Sequence, residues 1–162
     1  MLLGMAGEEQ YRCRPNILIC GTPDVGMVAK ENNLFEGWDE QYECPILDED
    51  KVVDELEGVM GSGGNVVEYH SCEFFPERWF DAVFVLRADN TVLYDRLVKR
   101  SYSEKKISEN IQCEIFQSIL EEARESYPEG IVHELISNLP EDLDRNVDAI
   151  CEMVDNWSPD MR

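Results

Sequence analysis

The chain has 162 residues, 43% of them hydrophobic, which suits one compact domain with its own core and is too short for two ordinary ones. Its 35 acidic residues against 14 basic ones give a formal charge of −21. With no Lys/Arg cluster in the sequence, that field repels nucleic acid and anionic membrane, and leaves either a basic protein partner or simply a well-solvated surface.

The start, MLLGMAGEEQYR, has too short an apolar run for a secretory signal, and no later stretch approaches a membrane span, so a soluble protein is expected. Residues 1 to 14 read as an extension that the core does not need. After Pro15, NILIC is brief, apolar and closed by Gly21, the pattern of a buried strand. From Asp48 to Met60 the apolar residues Val52, Val53, Leu56, Val59 and Met60 recur at helical spacing, and the glycines of GSGG stop the pattern. NVVEYH (65 to 70) is a second strand. FFPERW follows as a turn with exposed-looking aromatics, and AVFVLR (82 to 87) is a third strand. Asn90 is placed to cap a helix running to about Lys99.

SYSEKK reads as a polar loop before one long helix from Ile107 to Ser126, with Ile111, Ile115, Phe116, Ile119 and Leu120 on its apolar face. Pro128 and Gly130 end it. GIVHELI (130 to 136) is a fourth strand, and Pro140 opens a last helix with Leu143, Val147, Ile150, Val154 and Trp157 on one side. Strands alternating with helices argue for an α/β layer fold around a mainly parallel sheet.

The first strand runs into GTPDVGMVAK. Gly21, Thr22, Pro23, Asp24, Val25 and Gly26 satisfy the first six positions of GxxxxGK[ST], where successive backbone N–H groups surround a phosphate. Phosphoryl transfer also uses a lysine to neutralise the β- and γ-phosphates and a hydroxyl on Mg²⁺, immediately after the second glycine. Met27 and Val28 hold those places, and Lys30 is displaced to a different side of any helix starting there. Asp24 adds a negative charge where an anion would sit. Taken alone, such a turn is more often a tight connection than a nucleotide site.

The rest of the chain closely resembles the adenylate kinase isoenzyme 6 family. The residues that carry the likeness are PNILICGTP at 15 to 23, ECPILDEDKVVDEL at 43 to 56, EYHSCEFFPERWF at 68 to 80, VFVLR at 83 to 87, VLYDRL at 92 to 97 and ENIQCEIFQ at 109 to 117. The resemblance implies a P-loop kinase fold over residues 15 to 158, with a parallel sheet flanked by helices. It implies ATP:AMP phosphotransfer, Mg²⁺-dependent ATPase activity and a part in maturation of the small ribosomal subunit, in nucleus and cytoplasm, through a basic small-subunit ribosomal protein on pre-ribosomal particles. It further implies that Gly21 to Gly26 bind ATP with Mg²⁺, that residues 27 to 47 are a remnant of the monophosphate-binding region, and that residues 99 to 109 form a lid. Arg100 then matches the lid arginine on ATP. Glu68, Tyr69 and His70 fall on an Asp-Tyr-His signature whose acid lies toward Mg²⁺ and whose histidine is functionally sensitive.

Two stretches depart from the family. Its members continue from the second glycine through Lys-Thr-Thr, a helix and a second strand, and a segment of that kind is absent here. The fold is therefore expected to lose one helix and an edge or neighbouring strand, to expose apolar surface that those elements cover, and to have impaired catalysis. The second departure is GMAGEEQYRCR, 4 to 14, which stands between a family-like MLL and PNIL. The competing reading is a non-catalytic acidic protein that holds a basic ribosomal protein.

Other candidates are weaker. Cysteines at 13, 20, 44, 72, 113 and 151 lack the close pairing of a zinc ribbon and read as reduced, intracellular thiols; His70 with Cys72 is at most half a metal site, so no zinc is expected. Trp79 with Phe74, Phe75 and Phe80 reads as core or as a binding platform, Arg78 and Arg87 as partners of nearby acids, and His133 as structural. Leu139 stands where the family often has a lysine near the adenine, and no role is carried to it.

Overall fold

A computed structural model of the chain describes residues 12–21, 35–40 and 44–159. In chain order the elements are β1 (Ile17–Cys20), β2 (Phe35–Asp39), β3 (Cys44–Leu47), α1 (Glu49–Ser62), β4 (Val66–Tyr69), β5 (Ala82–Arg87), α2 (Asn90–Lys99), α3 (Glu104–Ile115), α4 (Ser118–Ser126), β6 (Val132–Ile136) and α5 (Pro140–Asn156). Four strands form one wholly parallel sheet in the order β4-β1-β5-β6, while β2 and β3 pair antiparallel as a separate ribbon. All four strands expected from the sequence form. The β2–β3 ribbon was not anticipated; FEGWD and CPIL carry no alternation strong enough to announce it.

The central strands are apolar on both faces because each face is covered. Leu18, Cys20, Val83 and Val85 join one cluster with Val52 and Met60 of α1 and Leu120 and Ala123 of α4. Ile17, Ala82 and Phe84 belong to a second cluster, closed by Ile150, Met153 and Val154 of α5. At the amino ends of the strands, fully buried Asn16 ties three elements together. Its side-chain NH₂ donates to the carbonyls of Met60 (2.8 Å) and Trp79 (2.9 Å), its amide oxygen accepts from Asn65, and its backbone N–H donates to Asp81 (2.8 Å).

Several local expectations are corrected. The long helix breaks in two at Gln117, which adopts a left-handed conformation (φ 56°), and α3 starts early because Ser103 accepts a hydrogen bond from the Lys106 N–H. That break turns Ile115 and Phe116 outward, the latter 72% exposed. Helix α2 is entered from Asp89, with Asn90 as its first residue. The FFPERW turn does not expose its aromatics as its first look suggests: Phe75 and Trp79 are buried with neighbouring Phe80, as the core reading expects, and the Trp79 indole N–H donates to Glu57. On α5, Ile150 and Val154 pack inward but Leu143 and Val147 are exposed. Arg12, placed by sequence in the dispensable extension, donates to the carbonyls of Trp79 (2.6 Å) and Arg78 (2.8 Å) and pairs with buried Asp81 (3.3 Å). Gly63 ends α1 with φ 75°, and a Cβ there would lie 2.5 Å from the Arg14 carbonyl. The segment 12–14 is thus seated on the base of the sheet.

Candidate functional site

In a parallel sheet the backbone carbonyls and the connections that follow the strands gather at the carboxyl edge, and a crevice opens where neighbouring connections leave in opposite directions. Here β1 leads toward β4 on one side of itself, while its other neighbour β5 leads away to β6. The glycine loop begins at that divergence. A Cβ on Gly21 would sit 3.1 Å from Cβ and 3.6 Å from the carbonyl oxygen of Leu86, so a side chain there would crowd Leu86 and glycine lets the chain leave β1 this close to β5 without displacing it. Thr22, Pro23, Asp24, Val25 and Gly26, with Met27, Val28 and Lys30, lie outside the described residues.

The neighbouring strand brings the Glu68-Tyr69-His70 stretch alongside. Glu68 is the register partner of Ile19 and its side chain is exposed; Tyr69 pairs with Cys20 and turns inward. Strand alternation therefore separates the acid from the tyrosine, which packs edge-on to Phe74 and Phe75. Burial, aided by the charge of Glu49, pushes the Tyr69 phenol up to about 12. His70 lies at the strand exit with its ring 4.2 Å from that of Tyr69. Desolvation lowers its pKa, opposed by Glu122 and reinforced by Lys106. Arg100 comes from a different element, the turn that closes α2, where its backbone N–H bonds to the Arg96 carbonyl at 3.1 Å.

Two groups near His70 escaped the sequence reading. Glu122 of α4 uses a single carboxylate oxygen to accept from the Ser71 hydroxyl (2.7 Å), the Cys72 N–H (2.7 Å), the Glu73 N–H (3.1 Å) and the Cys72 thiol (3.3 Å). Burial works to raise its pKa, but these bonds, led by the Cys72 N–H, outweigh it and hold the carboxyl below its ordinary value. The loop after β4 is thereby pinned to α4. Lys106, in the first turn of α3, places its ammonium 4.5 Å from the Tyr102 ring centroid. Neither has a motif around it: Glu122 acts across some fifty residues, and the Tyr102–Lys106 pair, though four residues apart, carries no mark that distinguishes it from other pairs at that spacing.

The remaining candidates resolve as structure. Cys72 is buried, and its contact with Cys20 followed by desolvation pushes its thiol far up. Among the described residues no three His, Cys, Asp or Glu side chains gather as a metal cluster. Arg78 pairs with Glu57, and Arg87 with Glu114 and Glu134. His133 stacks on Phe84 at 5.1 Å. No helix among the described residues is long and apolar enough to cross a membrane.

A parallel sheet with a glycine loop at the carboxyl end of a central strand defines a P-loop NTPase-like α/β protein, and residues 24–117 match the model of an AAA domain family. Three similar proteins sharpen this. The chain is 51% identical to the adenylate kinase isoenzyme 6 homolog of Drosophila melanogaster, over 93% of this chain and 95% of the relative. It is 49% identical to that of Dictyostelium discoideum (90% and 95%) and 39% identical to the homolog FAP7 of Saccharomyces cerevisiae (92% and 86%). The chain belongs to the adenylate kinase isoenzyme 6 family. The Drosophila alignment runs over 170 positions, more than the 162 residues of this chain, so part of that relative has no counterpart here.

Proposed function

We propose that the carboxyl edge at β1, β4 and β5 binds nucleoside phosphates and carries an impaired form of the family's ATP:AMP phosphotransfer and Mg²⁺-dependent ATPase chemistry. The observation that carries this is the place of Gly21, set close against Leu86 of β5 at the carboxyl end of β1, where the strand connections diverge. In this reading Gly21, Thr22, Pro23, Asp24, Val25 and Gly26 offer backbone N–H groups to the phosphates, and Arg100 adds charge from the lid. His70 stands beside the transferring group, where its lowered pKa favours the neutral imidazole. Glu68 is an exposed hard oxygen ligand beside the loop and suits Mg²⁺, which takes one or two carboxylates together with phosphate oxygens. Bound there, Mg²⁺ would neutralise phosphate charge. Catalysis of this kind consists of positioning and charge neutralisation, so Met27 in place of the loop lysine and Val28 in place of the hydroxyl weaken it directly.

The test is thermal unfolding with Mg·ATP. A ligand held only by the folded chain at a hundred times its Kd adds about 2.7 kcal/mol of stability. The wild-type chain should melt higher with Mg·ATP, and Gly21→Val, which drives a side chain into Leu86, should lose that increment. Absence of any shift at millimolar Mg·ATP would contradict the nucleotide reading.

The same two positions, with 35 acidic residues against 14 basic, favour a second reading. The protein would act as an acidic binder of a basic small-subunit ribosomal protein, on pre-ribosomal particles in nucleus and cytoplasm, without turning ATP over. Salt-sensitive capture of such a protein by the chain in the absence of nucleotide supports this; capture that occurs only with Mg·ATP points back to the first reading.

A further inference from the structure

Two cysteines meet at the carboxyl end of the sheet, brought there by neighbouring strands. Cys20 is the last residue of β1, directly before Gly21, and Cys72 lies in the loop that follows His70. Cys20 is the register partner of Tyr69, on a strand about 4.8 Å away, and the loop after β4 then returns to β1. The Cys20 thiol donates to the Ser71 carbonyl at 3.7 Å, and the thiols of Cys20 and Cys72 touch. Both side chains are fully buried in the same cluster, and both are free thiols.

The surroundings hold this pair in place. The Tyr127 hydroxyl donates to the Cys72 carbonyl (2.9 Å) and the Cys72 N–H donates to Glu122 (2.7 Å), so the Cys72 backbone is fixed from α4 and the residue that ends it. The Cys72 thiol donates to that same carboxylate at 3.3 Å. Contact with Cys20, then burial, then the Glu122 charge all oppose a thiolate at Cys72, which keeps the pair reduced while the loop is closed. The cover is thin. His70 and Glu73 are exposed and Ser71 is half-buried, so a local opening of these few residues brings both sulfurs to solvent.

We propose that Cys20 and Cys72 are a latent dithiol switch, closed to an intramolecular disulfide by hydrogen peroxide and held back in the reduced protein by Glu122. One sulfur attacks an oxygen of the peroxide, which breaks the O–O bond and leaves a sulfenic acid and one water. The other sulfur attacks the sulfenic sulfur, which forms the S–S bond and expels the second water. Two electrons thus pass from the thiols to the peroxide, and the thiol protons end in water. The product ties the exit of β1 to the loop after His70, and the hydrogen bonds from the two thiols to Ser71 and Glu122 are given up. Nucleotide binding is not required for any of these steps.

The reduced full chain, dilute enough that chains do not cross-link, is treated with hydrogen peroxide, quenched by alkylation at intervals, and digested without reductant for mass spectrometry. A Cys20–Cys72 linked peptide should accumulate in the monomer, later than oxidation of the exposed Cys113 and Cys151, and should vanish with dithiothreitol. Glu122→Gln, which keeps an acceptor for the loop and removes the charge, should form it severalfold faster. Hydrogen exchange at residues 71–73 should slow by about tenfold or more in the linked protein, because opening now requires the disulfide to follow. Cys72→Ser treated in the same way should show no such slowing. Complete oxidation of Cys113 and Cys151 without a Cys20–Cys72 peptide overturns the proposal, and so does exchange at 71–73 that is unchanged or faster in the linked form. Linkage in Glu122→Gln no faster than in the wild-type chain overturns the part given to Glu122.

Discussion

At the scale of single residues, the strongest constraints are polar groups buried with complete sets of partners. Asn16 is the clearest, because its amide serves two carbonyls and a neighbouring asparagine where water does not reach. Asn16→Ala strands those groups and should lower stability by at least about 2 kcal/mol in urea unfolding, since each unsatisfied buried group costs roughly 1–3 kcal/mol. An effect below half that size would mean that water replaces the amide. Glu122 is similar in kind but half-exposed. Glu122→Gln keeps an acceptor and loses the charge, so a loss of about 1 kcal/mol is expected, whereas Glu122→Leu orphans three donors and should cost more. Neither residue announces itself in sequence, since a buried asparagine and a surface glutamate look alike until distant carbonyls and N–H groups are brought to them.

At the scale of elements, apolar runs bounded by proline or glycine identified all four strands of the sheet, because a central parallel strand is simply apolar throughout. The helix break at Gln117 was hidden: Ile111, Ile115 and Ile119 keep helical spacing straight through it, and only a left-handed residue interrupts the chain. Gln117→Gly should therefore stabilise the protein by about 0.5–1 kcal/mol, the left-handed strain removed being larger than the entropy that glycine adds to the unfolded chain. The opposite holds at Gly63, where Gly63→Ala meets both positive φ and the Arg14 carbonyl and should cost about 1–3 kcal/mol. Thermal or urea unfolding of the two variants tests both signs. Arg12 failed as an expectation for a related reason. An extension judged by its sequence surroundings carries no mark of the Asp81 carboxylate and the two carbonyls that hold it.

At the scale of the whole molecule, stability should form a plateau bounded by titrations of opposite kind. Desolvation lowers the pKa of His133 and of His70, so the unfolded chain binds more protons as pH falls through the ordinary imidazole value, about 6.5, and stability declines there. Glu122, lowered in the fold, adds a further loss as pH falls through the carboxylate range. On the alkaline side Cys72 is raised, and Tyr69 is pushed up to about 12. Their contribution is present below their unfolded values and fades above about pH 9 and 10. Urea midpoints in moderate salt, which screens the net negative charge, should fall from about pH 7.5 to about pH 5.5; a rise would show that charge repulsion outweighs histidine burial.

The same scale joins fold to function. Family and fold were legible because long matching runs span the chain, whereas the site was legible only in part. Gly21 and the Glu68–His70 stretch fall together on neighbouring strands, but the groups that pin the loop after His70 come from α4, far along the sequence. The central claim is that this edge retains the family's scaffold while Met27 and Val28 remove its main phosphate cation and metal hydroxyl. It is tested most directly by ADP formation from Mg·ATP, with and without AMP, comparing this chain with a version carrying a family-type Lys-Thr-Thr helix and strand restored after Gly26. The restored protein should turn over faster by on the order of a hundredfold or more. Comparable turnover by the two would contradict the account and require another cation, such as Lys30 or Arg100, to serve the phosphates.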